Sequence, residues 1–279
     1  MRLFRRSILF LGLSVRLLAE APVVIDDRAL SIDFGDRIGA MVDAGQTTSA
    51  KDLGEQLKRE RVAIELAEAR KEISEDVYGG AVDSVGIIAS VYKCGRCDDW
   101  HRSGAATCWV LSADGVMVTN YHVFANAEHS GWGVLTRDGK VSAVKEILAA
   151  NKEMDIAIFK VAGEGYKPLS FGEASKVGGD AHIIAHPDGR FFTYTYGKVS
   201  RYYRTSRRGV VWMAVTAEFA RGSSGGPVID SRGNVIGMVA NTQSIYYTSE
   251  KKGEGKGPFQ MVIRNCVPVE SMLSLIEKE

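Results

Sequence analysis

Proline is scarce in this sequence, with 6 residues among 279, although glycine contributes 30. Together with 45 % hydrophobic and 25 % charged residues, this composition is typical of an ordinary globular protein. It excludes a collagen-like chain, a disordered chain and a coiled coil. The length allows one large domain or two small ones, because barrels and sandwiches often occupy roughly 200 residues as a single unit.

An excess of charge of one sign is also missing. Lys and Arg total 35 and Asp and Glu total 34, which gives a formal net charge of +1. A chain so close to neutral has no overall electrostatic field that would attract nucleic acid or an acidic membrane surface. We therefore expect no nucleic-acid partner, and binding partners have to be identified from individual sites.

No hydrophobic run near the start is long enough to span a membrane. The uncharged run Ser7–Val15 has nine residues, whereas a membrane-spanning helix needs roughly 20. Arginines precede this run and Ala19-Glu20-Ala21 follows it, which is the pattern of a secretory signal peptide. We predict that residues 1–21 are a signal peptide. The protein is then exported to the periplasm or the extracellular space, with no membrane contact after cleavage.

Cysteine is rare as well, with 4 residues in the chain. Because exported proteins meet oxidising conditions, one or two disulfides are the preferred interpretation, and no metal or other cofactor is expected. The alternative is a structural zinc site, since two thiols, an imidazole and a third thiol follow one another closely. That candidate set is Cys94, Cys97, His101 and Cys108, while Cys266 is distant.

Residues 22–76 are predicted to form a helical N-terminal extension. The stretch Ala21–Thr48 has no clear hydrophobic period. By contrast, Ser49–Asp76 has apolar residues near helical spacing and begins with a capping box formed by Ser49 and Asp52. This amphipathic helix either packs on the main domain as a strut or serves as a partner-binding arm, and the sequence does not decide between these roles.

From Val77 onward, short β-rich runs alternate with Gly, Asp-Gly and Asn turn signals, which is typical of an all-β fold. So many closely spaced strands fit two antiparallel barrels. Residues 77–168 are assigned to a first barrel, and residues 169–279 to a second barrel with a C-terminal helix at Val267–Ile276. The predicted strands are Val85–Tyr92, Thr107–Ser112, Val116–Asn120, Gly133–Thr136, Asp155–Val161, His182–Ala185, Phe191–Tyr196, Lys198–Tyr203, Val210–Thr216, Pro227–Ile229, Val235–Ala240 and Phe259–Ile263.

The strongest chemical signal is the segment Arg221–Pro227, with the sequence RGSSGGP. Glycines around a serine allow successive backbone N–H groups to point at one spot while the hydroxyl stays accessible. Acyl transfer needs this arrangement, but a Gly/Ser cluster between strands is also a common tight turn. The interpretation therefore depends on residues elsewhere in the chain.

A base and a carboxylate that would orient it precede the serine. His122 and Asp155 each lie at one end of a β-rich run, and the order His122, Asp155, Ser224 is that of chymotrypsin. The α/β-hydrolases and subtilisin have different orders. The serine segment also satisfies G-x-S-x-G, but an esterase of that type needs a histidine after the serine. All five histidines precede Ser224, so this alternative fails.

At these motifs the chain resembles the trypsin-like serine peptidases, and most closely their bacterial high-temperature-requirement (Htr/Deg) branch. The resemblance spans about residues 80–275. It implies two perpendicular six-stranded antiparallel barrels, with the catalytic groups in the cleft between them. The matching segments are Ser112–Val123, Asp155–Val161, Pro168–Ser175, Gly197–Ser200 and Gly222–Met238.

The resemblance implies an exported serine endopeptidase that cuts polypeptide substrates through an acyl-enzyme intermediate. Ser224 is then the nucleophile, His122 the general base and acid, and Asp155 the residue that orients the imidazole. The backbone N–H groups of Gly222 and Ser224 form the oxyanion hole. The alternative is a catalytically silent or latent binding module on the same fold that needs an activating partner; the complete triad favours the enzyme.

The sequence departs from the family at three points. Ser223 replaces the Asp or Asn that usually precedes the nucleophile, which predicts no activation through an ion pair with a new N-terminus. Ala106-Thr107-Cys108 replaces the usual Gly-Ser-Gly, a change expected to leave catalysis untouched. The sequence ends at Glu279, soon after the second barrel, so we expect no PDZ domain.

Two alignments of the substrate pocket stay open. Without gaps, Glu218 takes the place of the acid that binds Arg or Lys side chains in trypsin. The Htr/Deg-like alignment instead makes Phe219, Ala240 and Asn241 pocket walls, which predicts a small or aliphatic residue before the cut bond. We prefer the second alignment, because a carboxylate at a pocket floor has to lose its hydration.

Two further groups of polar residues are interpreted as structural. His182, His186 and Asp188 lie in a strand-and-turn context, where their spacing does not place them on one helical face. A basic and aromatic cluster is interpreted as a solvated hairpin rather than a nucleic-acid surface. It comprises Arg201, Tyr202, Tyr203, Arg204, Arg207 and Arg208. The sequence does not determine the oligomeric state.

Overall fold

The structure is a computed structural model that describes residues 23–125, 129–206, 209–247 and 257–277. The predicted signal peptide, residues 1–21, lies outside these ranges, as do Arg207 and Arg208. Within them, no helix has both the length and the apolar character needed to cross a membrane.

The first barrel is an antiparallel sheet in the order β2-β1-β3-β4-β7-β6-β5, and a further pairing between β1 and β5 closes it. Six strands form the closed barrel, and the short strand β2 extends β1 at one edge. The strands are β1 (Val85–Lys93), β2 (Trp100–Arg102), β3 (Ala106–Val110), β4 (Val116–Thr119), β5 (Gly131–Thr136), β6 (Val141–Asn151) and β7 (Ile156–Val161).

The second barrel closes in the order β10-β13-β12-β11-β8-β9, again with antiparallel pairs throughout. The prediction of two six-stranded antiparallel barrels is therefore confirmed, whereas the boundary proposed after residue 168 stays a prediction. The strands are β8 (Asp180–Ala185), β9 (Thr193–Arg204), β10 (Val211–Val215), β11 (Pro227–Ile229), β12 (Val235–Tyr246) and β13 (Phe259–Pro268).

One buried apolar cluster contains residues from both barrels and from the N-terminal helix. Trp109 on β3 is fully buried and meets Phe171 edge to face, with ring centroids 5.4 Å apart at 89°. Burial of apolar surface contributes about 25 cal/mol per Å², so this shared core holds the two barrels together. Separate clusters lie within each barrel.

A helix that the sequence analysis did not predict, α1 (Asp27–Asp43), covers part of the first barrel. Asp26 caps it by accepting a hydrogen bond from the backbone N–H of Ala29. Only four of its residues are buried, and two of them are Gly35 and Gly39. A Cβ on Gly39 would lie 2.4 Å from the Trp100 ring. The helix does carry an apolar stripe, because Leu30, Phe34 and Ile38 recur every four residues and pack on the core, but Gly35 and Gly39 lower the helix propensity of the segment.

The predicted helix Ser49–Asp76 is correct only in its first two turns. Helix α2 (Ala50–Gln56) begins where expected, and Ser49 Oγ accepts a hydrogen bond from the backbone N–H of Asp52 over 3.1 Å. Residues 59–76 are extended instead, with a parallel bridge between Val62 and Ile276. We call residues 59–76 the strap.

The strap is extended because its apolar residues alternate and its backbone finds partners on the barrels. Val62, Ile64 and Leu66 are half-buried while the residues between them are exposed, which is the period of a strand rather than a helix. The Arg59 carbonyl accepts from Ala150 N over 2.7 Å, at β6 of the first barrel. The helical extension predicted for residues 22–76 is therefore two helices followed by an extended strap.

Several strand boundaries differ from the predictions. Strand β6 was not predicted, because register shifts around Glu146 and Ala149 interrupt its alternation. The two runs predicted on either side of Gly197 form the single strand β9. A Cβ on Gly197 would lie 2.2 Å from the backbone N of Ala217, so glycine there permits close approach rather than a break.

Helix α3 (Val77–Ala81) precedes β1. The C-terminal helix α4 (Val269–Leu273) is shorter than the predicted Val267–Ile276. Val267 pairs with Met238 as part of β13, so the helix begins only after Pro268. Proline suits this position because its fixed φ and missing N–H are compatible with a helix start.

Candidate active site

His122 and Asp155 are brought together by two paired strands of the first barrel. Strands β4 and β7 are antiparallel neighbours, and Thr119 pairs with Ala157 at the end of β4. His122 lies in the 3-10 turn Tyr121–Phe124 just beyond β4, and Asp155 lies just before β7. His122 Nδ1 is 2.9 Å from Oδ2 and 3.1 Å from Oδ1 of Asp155.

The Asp155 carboxylate accepts from both the ring and the backbone of His122. The backbone N–H of His122 donates to Oδ1 over 3.1 Å. A carboxylate acceptor at Nδ1 selects the tautomer that carries its proton there, so the lone pair is on Nε2. The Asp155 side chain is 18 % exposed and that of His122 is 51 % exposed. Such an imidazole is oriented and accessible as a general base.

Asp155 has a left-handed backbone conformation, with φ of 57°. Aspartate and asparagine tolerate this region better than most residues, yet the conformation still costs of order 1–3 kcal/mol. The buried side chain of Asn120 stabilises it, because Nδ2 donates to the Asp155 carbonyl over 2.9 Å. Asn120 was not singled out from the sequence, although its place two residues before His122 was available as a signal.

In the Ser224 loop (residues 221–226), the backbone N–H groups on either side of Ser223 are left without an acceptor within the ranges that the structure describes. The N–H groups of Ser223, Gly225 and Gly226 donate to other carbonyls over 2.9 to 3.0 Å. Those of Gly222 and Ser224 have no acceptor among the described residues. Gly222, with φ of 95°, is in the left-handed region. Two unpaired N–H groups beside a half-buried serine are the donors that a tetrahedral oxyanion needs.

Both barrels hold this loop. Thr107 on β3 donates its hydroxyl to the Gly222 carbonyl over 2.9 Å, and its backbone N–H donates to the Ser224 carbonyl over 2.8 Å. From the second barrel, Asp188 N donates to the Arg221 carbonyl over 2.6 Å. In the sequence, Thr107 is part of the segment Ala106–Cys108 that departs from the family pattern. No residue near Thr107 in the sequence indicates its contacts with the Ser224 loop.

The Ser224 hydroxyl donates to the Ala240 carbonyl over 3.3 Å. In the described structure it makes no hydrogen bond to the His122 imidazole. The structure thus brings His122 to Asp155, and places Ser224 beside its two unpaired N–H groups. Proton transfer from Ser224 to His122 requires the hydroxyl to turn away from Ala240.

The pocket candidates divide into buried and exposed groups. Phe219 is 8 % exposed and lies in the apolar core of the second barrel, and Ala240 is also buried. The Glu218 side chain is 81 % exposed and its Oε1 accepts from Arg264 over 2.9 Å. Asn241 Oδ1 accepts from Asn265 Nδ2 over 3.0 Å.

Arg264 therefore neutralises the only carboxylate that the sequence analysis assigned to the pocket. Because Arg264 lies on β13, far from Glu218 in the sequence, no local pattern indicated that the two residues pair. A free pocket-floor carboxylate would be the feature that selects a basic substrate side chain. Because Glu218 is exposed to solvent and paired with Arg264, it does not provide such a carboxylate.

His182 and His186 do not form a metal set. His186 is fully buried and its Nδ1 accepts from Phe192 N over 3.0 Å, and burial lowers its pKa to about 4. His182 Nδ1 lies 2.6 Å from the Tyr194 hydroxyl, and burial lowers its pKa too. In the described part of the chain, neither belongs to a group that could hold a metal ion.

The four-ligand zinc set is wrong in one member. Cys94, Cys97 and His101 lie together, but Cys108 is buried in the first barrel and its thiol donates to the Gly86 carbonyl over 3.5 Å. Burial raises the pKa of the Cys108 thiol. In contrast, a hydrogen bond from Arg96 N lowers the pKa of Cys94 to about 7.

The expected disulfides are also absent, since all four cysteines are free thiols in the structure. Cys108 and Cys266 are buried in different barrels and do not meet. The sulfur atoms of Cys94 and Cys97 are 3.4 Å apart, compared with about 2.05 Å in a disulfide.

The basic and aromatic cluster lies largely on β9, in the hairpin with β10. Two of its tyrosines are engaged by the protein. The Tyr202 hydroxyl donates to the Ser175 carbonyl over 2.6 Å, and the Tyr203 hydroxyl donates to Asn265 Oδ1 over 2.8 Å. A hairpin agrees with the interpretation made from the sequence.

The known proteins to which this chain is similar are trypsin-like serine proteases. A family model described as a trypsin-like peptidase domain matches residues 106–238. That stretch contains His122, Asp155 and Ser224.

Curated relatives are serine proteases by name. The chain is 30 % identical over 148 residues to "Putative serine protease HhoB" of Synechocystis, covering 50 % of this chain and 35 % of that protein. It is 30 % identical over 141 residues to "Probable periplasmic serine endoprotease DegP-like" of Halomonas elongata, covering 49 % and 29 %. The chain thus spans about a third of the length of these relatives.

Solved structures support the fold. "HtrA-type protease AlgW with tripeptide" superposes with a TM-score of 0.55 at 21 % identity, covering 71 % of this chain and 60 % of that one. At this identity the similarity establishes the two-barrel architecture.

Proposed function

Because the chain contains a trypsin-like peptidase domain of the Htr/Deg type, we propose that it is an exported serine endopeptidase with the triad His122, Asp155 and Ser224. The observation that carries this proposal is the double contact of Asp155 with His122, at 2.9 Å to Nδ1 and 3.1 Å to the backbone N–H. It orients an exposed imidazole with its basic nitrogen available.

The proposed reaction uses the three residues in turn. Ser224 Oγ attacks the carbonyl carbon of the peptide bond while His122 Nε2 accepts its proton, and Asp155 stabilises the resulting imidazolium. The His122 proton then passes to the leaving amine, and an acyl-enzyme remains on Ser224. Water, deprotonated by His122, releases the acid and restores the serine hydroxyl.

The N–H groups of Gly222 and Ser224 stabilise the oxyanion in both steps. Neither N–H group has an acceptor among the described residues. A preorganised donor of this kind contributes about 3 kcal/mol to transition-state stabilisation. Holding the loop in place therefore contributes to catalysis in addition to the triad.

The substrates we propose are polypeptides with a small or aliphatic residue before the cut bond. Phe219 and Ala240 offer an apolar, largely buried surface, and the Glu218 carboxylate is paired with Arg264 over 2.9 Å. Relatives named as periplasmic and the pattern at residues 1–21 favour action in the periplasm or outside the cell.

A fluorophosphonate probe tests the proposal, since it phosphorylates an activated serine and releases fluoride. We expect stoichiometric labelling of the full chain, and its loss in Ser224→Ala and in His122→Ala. Ser223→Ala is the matched variant, because Ser223 is fully buried beside the nucleophile, and it should still be labelled. Folded protein that resists the probe, or labelling that survives Ser224→Ala, would refute the triad.

A further inference from the structure

Two thiols and an imidazole meet at the tip of the hairpin between β1 and β2. Cys94 and Cys97 lie in the connecting loop, and His101 lies on β2. The Cys97 sulfur is 3.4 Å from the Cys94 sulfur and 3.1 Å from His101 Nε2. All three ligand atoms lie within 4.8 Å of one another. This cluster plays no part in the proposed triad.

The spacing of these atoms resembles the edges of a tetrahedral metal site. Ligands on zinc, with Zn–S bonds of about 2.3 Å and Zn–N bonds of about 2.0 Å, lie roughly 3.5–3.8 Å apart. The observed separations of 3.4 and 3.1 Å are slightly shorter than these edges. A disulfide would require the two sulfurs at about 2.05 Å and would leave the imidazole without a role.

The hairpin also prepares the thiols for a cation. Arg96 N donates to the Cys94 sulfur over 3.4 Å, a contact that stabilises a thiolate. Gly95, with φ of 73°, gives the left-handed turn between the cysteines. Both cysteines are exposed and His101 is half-buried, so an ion has access from solvent.

The base of the hairpin is fixed to the N-terminal helix. Trp100 Nε1 donates to Asp43, the last residue of α1, over 3.0 Å. The Lys93 ammonium lies 4.2 Å from the centre of the Trp100 ring and donates to the Asp98 carbonyl. The ring of Tyr92 lies 5.7 Å from that of His101. The ligands thus lie on a loop whose two ends are held.

We propose that Cys94, Cys97 and His101 bind one zinc ion, through two thiolates and Nε2, with water in the fourth position. Binding releases to solvent the protons that the two thiols still carry and changes no oxidation state. Cys94, Cys97 and His101 all come from one hairpin, so the ion would close the loop and stabilise the contact of Trp100 with α1. The proposal is independent of the peptidase chemistry.

The test uses the full chain, reduced, freed of metal and then kept free of reductant under an inert atmosphere. Zinc affinity is measured by competition with a chromogenic indicator. Cobalt is then bound in place of zinc, because its visible spectrum reports the type and geometry of the ligands. We expect one zinc per chain, release of the protons that the two thiols still carry, and a visible cobalt spectrum of tetrahedral type with thiolate-to-metal charge transfer. Cys94→Ser, Cys97→Ser and His101→Gln should each weaken zinc binding by more than the 10–100-fold that loss of a second-shell group costs.

Cys108→Ala is the matched control, because it removes a thiol outside the cluster and should leave zinc affinity unchanged. If that buried substitution prevents folding, Cys266→Ala gives the same control in the other barrel. Zinc binding that is absent, or indifferent to His101→Gln, would overturn the proposal. A Cys94–Cys97 disulfide in protein isolated from its export compartment, found by alkylation and mass spectrometry, would overturn it too.

Discussion

Thr107 of the first barrel donates its hydroxyl to the carbonyl of Gly222 in the second barrel over 2.9 Å. The contact is buried, and it holds the Gly222–Ser223 peptide, which connects the two residues whose N–H groups are the proposed oxyanion donors. Since Thr107 N also donates to the Ser224 carbonyl over 2.8 Å, a single residue of β3 holds two carbonyls of the Ser224 loop. The geometry of the oxyanion hole thus depends on how the barrels pack.

Thr107→Val should lower the rate of fluorophosphonate labelling by about tenfold or more. Valine has the same shape but leaves the buried Gly222 carbonyl unpaired, which costs about 1–3 kcal/mol, and 1.36 kcal/mol corresponds to a factor of ten in rate. Thr107→Ser keeps the hydroxyl and serves as the matched control. Equal labelling rates for the valine and serine variants would show that the contact does not position the loop.

Gly222→Ala should abolish labelling, and Gly189→Ala should not. Both glycines have positive φ, 95° and 74°, so both alanines pay the left-handed penalty of about 1–2 kcal/mol. Only at Gly222 would a Cβ collide, lying 2.4 Å from the His186 carbonyl, while Gly189 has nothing within 4 Å. Comparing the two variants separates the effect of the collision from that of the backbone strain. Comparable labelling of both variants would show that the collision does not disturb the Ser224 loop. Circular dichroism verifies folding.

The stability of the protein should fall between pH 6.5 and about 4 because of His186. Burial lowers its pKa from 6.5 to about 4, so in this window the unfolded chain binds a proton that the folded chain does not. Stability is then lost as the pH falls, by up to about 3 kcal/mol, and is unaffected above pH 6.5. Urea denaturation at pH 7 and pH 4.5 measures the loss.

His186→Asn removes the titration and keeps an acceptor where Phe192 N now donates to Nδ1 over 3.0 Å. Other groups titrate equally in both proteins, so the difference between the two pH profiles isolates His186. We expect the variant to lose less stability than the wild type on acidification. Parallel profiles would mean that His186 does not titrate differently in the folded and unfolded states.

Glu218→Gln should change kcat/KM on substrates with Ala or Val before the cut bond by less than about fivefold. Glu218 is exposed and paired with Arg264, and exposed ion pairs contribute about 1 kcal/mol or less. Phe219→Ala should instead shift the preference toward larger aliphatic residues by opening the apolar wall. A panel of peptides measures both. Strong cleavage after Arg or Lys that disappears in Glu218→Gln would establish the trypsin-like pocket instead.

Local patterns in the sequence were sufficient to predict the barrels and to select His122, Asp155 and Ser224 as the catalytic candidates. Strand alternation and turn signals are local, and the residues around the three catalytic candidates form compact motifs. By contrast, the contacts of Thr107 with the Ser224 loop and of Arg264 with Glu218 join residues far apart in the chain. Such pairings follow from strand register and barrel packing, which no short window specifies.

The N-terminal segment shows the same limit at the level of secondary structure. Helix α1 was missed although Leu30, Phe34 and Ile38 recur at helical spacing on its contact face, because Gly35 and Gly39 lower the helix propensity of the segment. The strap was predicted helical because Ile64, Ala67 and Ile73 fit a helical period, although Val62, Ile64 and Leu66 also alternate. Hydrogen-bond partners on the barrels determine the conformation of the strap, because they pair with the backbone groups that an extended chain leaves free.

Asn234→Ala should release the strap from the second barrel. The Asn234 side chain accepts from Arg70 N over 2.7 Å and donates to the Arg70 carbonyl over 2.9 Å, and it also accepts from Ser170 Oγ over 2.7 Å. Alanine removes all three contacts and leaves a buried donor or acceptor unpaired, at a cost of about 1–3 kcal/mol.

Limited proteolysis detects the release of the strap directly, because a protease cuts an extended segment once it detaches from the surface to which it is hydrogen-bonded. We expect faster cleavage within residues 59–76 in Asn234→Ala than in the wild type, with a lower denaturation midpoint. Arg232→Ala is the matched control: its guanidinium donates to the Lys71 carbonyl over 3.0 Å, but the side chain is 52 % exposed, so water replaces the contact at little cost. Equal cleavage of the two variants would mean that the strap is held by its apolar residues rather than by Asn234.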